Sequence, residues 1–119
     1  MDDRQVIFEK AKAAMERGDK ASAKTLLDEL IFNEPDFEQA WLLLAEVVTD
    51  SNEKKDCLRQ VYRINPNNPI KMVAAVILAD KKNAEKEREK IEQRQKAKEA
   101  RAKLRKDRAA EKKNLKKNG

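Results

Sequence analysis

The sequence contains no histidine and a single cysteine, and its 119 residues include only two glycines and three prolines. Histidine is the side chain that most often acts as a general base or metal ligand near neutral pH, so its absence argues against a zinc site and against the usual catalytic groupings. We therefore expect neither enzymatic activity nor a bound cofactor. The lone Cys57 cannot form a disulfide within the chain, and we interpret it as a small core residue rather than a redox centre.

Aromatic residues make up only 4% of the chain, whereas charged residues make up 42%. So polar a mixture cannot be packed entirely around one core, and part of the chain must be solvated. The longest apolar run, residues 72–79, is far shorter than the roughly 20 residues that span a bilayer. The first residues also lack the apolar core of a secretion signal. These absences predict a cytoplasmic chain with no transmembrane segment.

Charge divides the sequence into two segments. Residues 1–80 contain 11 Lys and Arg against 15 Asp and Glu, a net charge of −4, whereas residues 81–119 contain 17 against 7, a net charge of +10. Turn-forming glycine and proline are scarce throughout, and the residues that favour helices are abundant, which predicts an all-α fold. We predict a helical domain at residues 1–79 and a basic tail, helical or partly disordered, at residues 80–119.

Apolar residues recur at helical spacing in five segments. The first ends at Gly18, and the second begins after the cap residue Asp19 and ends before Pro35, because the residue before proline resists the α conformation. The third segment, residues 37–48, has the widest apolar face, so we expect that helix to be the most buried.

The fourth segment follows the cap residues at positions 49–52 and ends at the proline-rich residues 65–69. The fifth begins at Ile70 and meets neither glycine nor proline before Gly119. We therefore expect the fifth helix to run on into the tail.

Two proline-containing turns form an internal repeat. Residues 33–38 align with residues 64–69, so that Pro35 and Pro66 lie 31 positions apart. Each of these prolines closes one pair of helices and opens the next segment. The predicted core consists of the apolar residues on the facing sides of these helices, namely Leu27, Leu30, Trp41, Leu44, Leu58, Val61 and Val76.

This arrangement resembles the tetratricopeptide repeat (TPR), whose pattern is W-x2-L-G-x2-Y, then A-x3-F, then P. The first half of the pattern is matched by Trp41, Leu44, Ala45 and Val48. The second half is matched by Ala23, Leu27, Leu30 and Pro35. The resemblance covers residues 4–79. It implies a TPR-like α-solenoid of two helix pairs plus a closing helix, which runs on into a long charged C-terminal helix.

In TPR arrays the first helix of each pair lines a concave groove that receives partner proteins, so the resemblance implies a non-enzymatic adaptor. The residues implied to face the groove are Gln5, Phe8, Lys12, Met15, Gln39, Leu42 and Glu46. Its apolar members suit an amphipathic helix or an extended peptide of an unidentified protein partner. Alternatively, Phe8 and Met15 merely cover a terminal helix of the array.

The basic tail allows three interpretations: a solvated charged helix, a surface that binds the phosphates of RNA, DNA or the ribosome, or a segment that packs on the acidic domain or on an anionic membrane. The candidate phosphate-binding residues are Lys96, Lys98, Arg101, Lys103, Arg105, Lys106, Arg108, Lys112, Lys113, Lys116 and Lys117. The tail lacks aromatic residues, so base stacking is not expected, and its weak amphipathicity argues against a membrane. Ile91 and Leu104 do not form a heptad seam, which favours a monomer.

A repeat domain of two helix pairs is short, since helical arrays usually need three repeats to be stable. The fifth helix should therefore be needed to cover the second pair. Deletion of residues 70–79 is expected to lower the melting midpoint measured by circular dichroism. An unchanged midpoint would mean that the first four helices are stable without it.

Overall fold

A computed structural model of the chain describes residues 3–117, with the side chains of residues 3–114. Within the described residues there are five α-helices and no strand. The helices are α1 (Asp3–Glu16), α2 (Lys20–Asn33), α3 (Glu38–Val47), α4 (Ser51–Ile64) and α5 (Lys71–Lys117). The all-α fold and the five helices are confirmed, and α5 does continue from the closing helix into a long charged C-terminal helix.

The chain divides into two compact units, Met1–Ala79 and Asp80–Gly119. In the first unit α1 packs against α2 and α3 packs against α4, while α2 and α3 join the two pairs. Helix α3 also contacts α1, so three other helices surround it, as its wide apolar face predicts. In the second unit every described side chain from residue 81 to residue 114 is exposed.

One apolar cluster forms the core of the first unit. Its most deeply buried large side chains are Leu27, Leu30, Val61 and Val73. Five alanines are buried in the same core, each with an exposed fraction of 3% or less. They are Ala11, Ala14, Ala23, Ala40 and Ala45. An alanine at a helix contact lets two backbones approach closely, so these residues set the distances between α1, α2 and α3.

Five of the seven predicted core residues are buried, but Trp41 and Val76 are only partly buried at the edge of the cluster. The reason in the case of Trp41 is its polar indole nitrogen, since Nε1 donates a hydrogen bond to the carbonyl oxygen of Pro35 at 2.8 Å. Tryptophan commonly takes such a position, with its ring against the core and its N–H near the surface.

Helices α2 and α4 each begin next to a cap residue, at the positions that the sequence indicates. Gly18 adopts φ +80°, the left-handed conformation that ends a helix and that costs glycine little. Asp19 then caps α2, because its Oδ1 accepts a hydrogen bond from the amide of Ser22 at 3.1 Å. Asp50 caps α4 in the same way, accepting from the amides of Asn52 at 2.7 Å and Glu53 at 3.0 Å.

The two proline turns are held by side chains from neighbouring elements. At the first turn, Arg63 from the end of α4 donates to Oδ1 of Asp36 at 2.8 Å and to the carbonyl oxygen of Pro35 at 3.0 Å. At the second turn, Glu38 accepts hydrogen bonds from the amide groups of Asn65 and Asn68. The turns that form the sequence repeat are therefore tied to each other through α3 and α4.

The core leucines should dominate the stability of the first unit. Leu27→Ala is expected to lower the free energy of unfolding by about 2–5 kcal/mol, because it removes a fully buried side chain and leaves a cavity. Phe32→Ala is the matched control, since it removes a larger apolar side chain from the same helix at a position that is 86% exposed. Urea titration should show a change of less than about 0.5 kcal/mol for the control.

Candidate functional site

A shallow groove lies between one face of α1 and one face of α3. Its cavity of about 280 Å³ is lined by Phe8, Lys12, Gln39, Leu42, Leu43 and Glu46. The α1 residues are one helical turn apart, and the α3 residues lie at i, i+3, i+4 and i+7, so each set shares one helix face. The structure thus brings together five of the seven side chains expected to face a groove.

Phe8 contributes less apolar surface to the groove than the sequence suggests, because its side chain is only 8% exposed. Its ring packs against that of Phe37, with the two centroids 5.4 Å apart, and Phe8 is itself part of the core cluster. Nζ of Lys12 lies over the same ring, 5.8 Å from the centroid, in a cation–π arrangement. The apolar floor of the groove is accordingly supplied mainly by the half-buried Leu42 and Leu43.

The groove carries one charge of each sign at its edge. Lys12 and Glu46 are both exposed, and no ion pair joins them within the described residues. Gln39 adds an exposed amide that can both donate and accept a hydrogen bond. An apolar floor between a cation and a carboxylate can hold a short segment with one apolar anchor and polar groups on either side.

Two of the expected groove residues lie outside it. Gln5 does not line the cavity, and its amide nitrogen donates to Oε1 of Glu9 at 3.0 Å on the same helix. Met15 is half-buried against the core cluster, so it covers the helix pair instead of facing a partner. For Met15 and for most of the Phe8 ring, the alternative interpretation as cover for a terminal helix describes the structure better.

The candidate phosphate-binding residues lie on α5. Exposed side chains are found at Lys96, Lys98, Arg101, Lys103, Arg105, Lys106, Arg108, Lys112 and Lys113. Among these residues, Lys96 forms an ion pair with Glu92 at 3.4 Å. The side chains of Lys116 and Lys117 fall outside the described residues. The other eight described candidates are exposed, so their charged groups are accessible to solvent.

A second groove, between α4 and the start of α5, was missed by the sequence reasoning. It has a volume of about 210 Å³ and is lined by Ser51, Lys54, Lys55, Leu58, Met72, Ala75 and Val76. The signal was present in the sequence, because the apolar run at residues 72–79 is too continuous to face the core on every side. Met72 and Leu78 are accordingly about half exposed.

Cys57 is buried, as expected for a small core residue. Burial, with a smaller contribution from the neighbouring Asp56, raises the pKa of its thiol to about 11. The thiolate is thus scarce at neutral pH, which disfavours nucleophilic or redox chemistry at this position. No group of three or more potential metal-ligating side chains occurs among the described residues.

None of the helices in the described part of the chain is both long enough and apolar enough to cross a membrane. Comparison of the chain with protein-family models, with curated proteins and with solved structures found no match. We therefore infer its function from the geometry and chemistry of the surfaces described above.

Proposed function

We propose that the chain is a non-enzymatic, cytoplasmic adaptor whose TPR-like first unit binds a segment of a partner protein in the groove between α1 and α3. The observation that supports this proposal is the convergence of Lys12, Gln39, Leu42 and Glu46 on one cavity. These side chains come from the first helix of each pair, which is the helix that lines the binding groove in the family the sequence resembles. The adaptor itself acts as a monomer.

The size of the groove limits what it can bind. A cavity of about 280 Å³ lies just below the range typical of small-molecule sites, and this one is open along the two helices. One or two apolar side chains of a peptide fill it, and Lys12 and Glu46 favour a ligand with charges of both signs. Affinity in such a site comes from a few anchors, so the loss of one should be measurable.

Photocrosslinking in native-cell extract tests this proposal. A benzoylphenylalanine placed at Gln39 is expected to capture a defined protein, and the same group placed at Phe32, which does not line the groove, should not capture it. Leu42→Glu, which introduces a charge into the apolar floor, should reduce capture by about tenfold or more. Phe32→Glu is the matched control on an exposed apolar position.

The melting midpoint of each variant separates loss of binding from loss of folding. If Leu42→Glu lowers the midpoint substantially, Glu46→Lys replaces it as the groove variant. That substitution reverses a charge at the edge of the groove and leaves its apolar floor unchanged. Equal capture from positions 39 and 32, or full capture by both groove variants, would exclude the groove as the binding site.

A second candidate function is association with nucleic acid or with the ribosome through the second unit. Positive charge is concentrated there, because residues 94–117 contain 12 Lys and Arg against 3 Asp and Glu. All the described side chains of this segment are exposed. Cations in such number bind phosphates by displacing counterions, which gives an affinity that falls steeply with salt.

Salt titration with a fluorescent RNA tests this second function. Replacing Arg101, Arg105, Arg108 and Lys112 by Gln is expected to reduce the slope of log K against log salt by about 3 for single-stranded RNA. The matched control replaces four exposed lysines of the first unit, Lys10, Lys20, Lys55 and Lys71, by Gln. An equal effect of both sets would mean that only net charge matters, and absence of binding by the unmodified chain would exclude the function.

A further inference from the structure

The cations of α5 are not distributed evenly around the helix. At about 100° per residue, the positions on one side follow each other at intervals of four and three residues. They are Arg94, Lys98, Arg101, Arg105, Arg108 and Lys112, which we call the cationic stripe. All six point within about 40° of one direction. Between residues 94 and 112, no other residue of the helix lies in that sector.

Between residues 92 and 112, the carboxylates of the same helix lie on its other side. Glu92, Glu99, Asp107 and Glu111 are rotated by about 140–260° from Arg94. There they alternate with lysines, and Lys96 pairs with Glu92 at 3.4 Å. In contrast, no member of the cationic stripe is within ion-pair distance of a described carboxylate. Between residues 92 and 112 the helix therefore has one face of purely positive charge and an opposite face of mixed charge.

Helix stability does not account for the stripe. Successive members are three or four residues apart, and like charges at that spacing oppose helix formation. A mixed arrangement such as that of the opposite face would make the helix equally soluble and more stable. The segregation of cations to one side therefore serves contact with an anion instead of the folding of α5 itself.

The spacing of the stripe matches an extended row of negative charges. Its six cations extend over 19 residues of helix, or about 27 Å, at intervals averaging about 5 Å. Double-stranded nucleic acid presents a regular row of phosphates along each strand, and Lys and Arg side chains are long enough to adjust to their exact positions. A helix deep inside a groove of the duplex would have phosphates on both sides, and the carboxylates of the opposite face would repel the phosphates nearest to them. A helix lying along the outer backbone meets phosphates on one side only.

We propose that the cationic stripe binds the phosphodiester backbone of a duplex nucleic acid, with the mixed-charge face of α5 turned to solvent. This inference deepens the second function proposed above and rests on it. It assigns the contact to six residues on one side of the helix, including Arg94, which the sequence reasoning did not select. Because no base edge is reached, binding is independent of nucleotide sequence.

The composition of the tail favours a duplex over other polyanions. All five aromatic residues of the chain precede residue 81, so the tail has no platform on which single-stranded bases could stack. Membrane binding requires a broad apolar face, and within residues 81–114 the only exposed large apolar side chains, Ile91 and Leu104, are isolated. Regular phosphates on a stiff duplex are the partner that a straight charged row fits best.

The test compares two variants of the full chain that have the same net charge. The stripe variant carries Arg94→Gln, Arg101→Gln, Arg105→Gln and Arg108→Gln. The opposite-face variant carries Lys96→Gln, Lys103→Gln, Lys106→Gln and Lys113→Gln. Fluorescence anisotropy measures binding to 20-base-pair DNA and RNA duplexes, each in two unrelated sequences, between 50 and 200 mM salt. Circular dichroism checks that both variants keep the helix content of the unmodified chain.

Six phosphate contacts predict a slope of log K against log salt of about −5 for the DNA duplex, so the affinity of the unmodified chain should fall about a thousandfold over this range. The stripe variant retains two contacts, and its affinity should fall only about tenfold. The opposite-face variant should behave like the unmodified chain. Similar binding of the two sequences of each duplex supports contact with the backbone, whereas a strong preference for one sequence would contradict it.

Other outcomes overturn the inference in distinguishable ways. If both variants lose the same affinity, phosphates are bound all around the helix, so the stripe is wrong although nucleic-acid binding stands. If the unmodified chain binds neither duplex, both the inference and the second function fail. Stripe-dependent binding to phosphatidylserine vesicles without duplex binding would identify a membrane surface instead. Stripe-dependent self-association in sedimentation would identify the acidic first unit of a second copy.

Discussion

The packing of α3 against three other helices is the contact on which the rest of the first unit depends. Ala40 and Ala45 are almost fully buried on this helix, and with Leu44 they let the neighbouring helices approach closely. Because α3 has few polar positions, it cannot be stable without these neighbours. Both the depth of the core and the position of the groove follow from this arrangement, since Leu42 and Leu43 lie on the same helix as the residues that anchor it.

Hydrogen bonds between turns and helices complement the apolar contacts. Arg63 and Glu38 each bind a turn that is distant in sequence, so they connect the boundaries of the two helix pairs. These contacts involve charged groups near the surface, where an exposed ion pair contributes about 1 kcal/mol or less, so they fix orientation more than they add stability. Trp41 acts at the same boundary, with its ring against the core and its indole N–H on Pro35.

The two units offer surfaces of different chemistry, which suits a chain that joins two partners. The groove of the first unit is small, partly apolar and carries one charge of each sign, whereas the second unit is an exposed helix with a row of six cations along one side. A peptide bound in the groove and a polyanion bound on the stripe would not compete for the same side chains. If both proposed functions hold, this separation lets a chain of 119 residues bind a protein and a nucleic acid at the same time.

The sequence alone determined the features that depend on local chemistry and periodicity. It predicted the five helices, the cap at Asp19, a cap within residues 49–52, the continuation of α5 and the burial of Leu27, because backbone preferences and apolar spacing act over a few residues. Only the tertiary structure decided which side of Phe8 is free, that Met15 and Gln5 lie outside the groove, and that Met72 borders a second one. Those outcomes depend on how helices distant in sequence approach each other. Buried alanines set the distances between these helices, and alanine is too weakly hydrophobic for the sequence to show which alanines are buried.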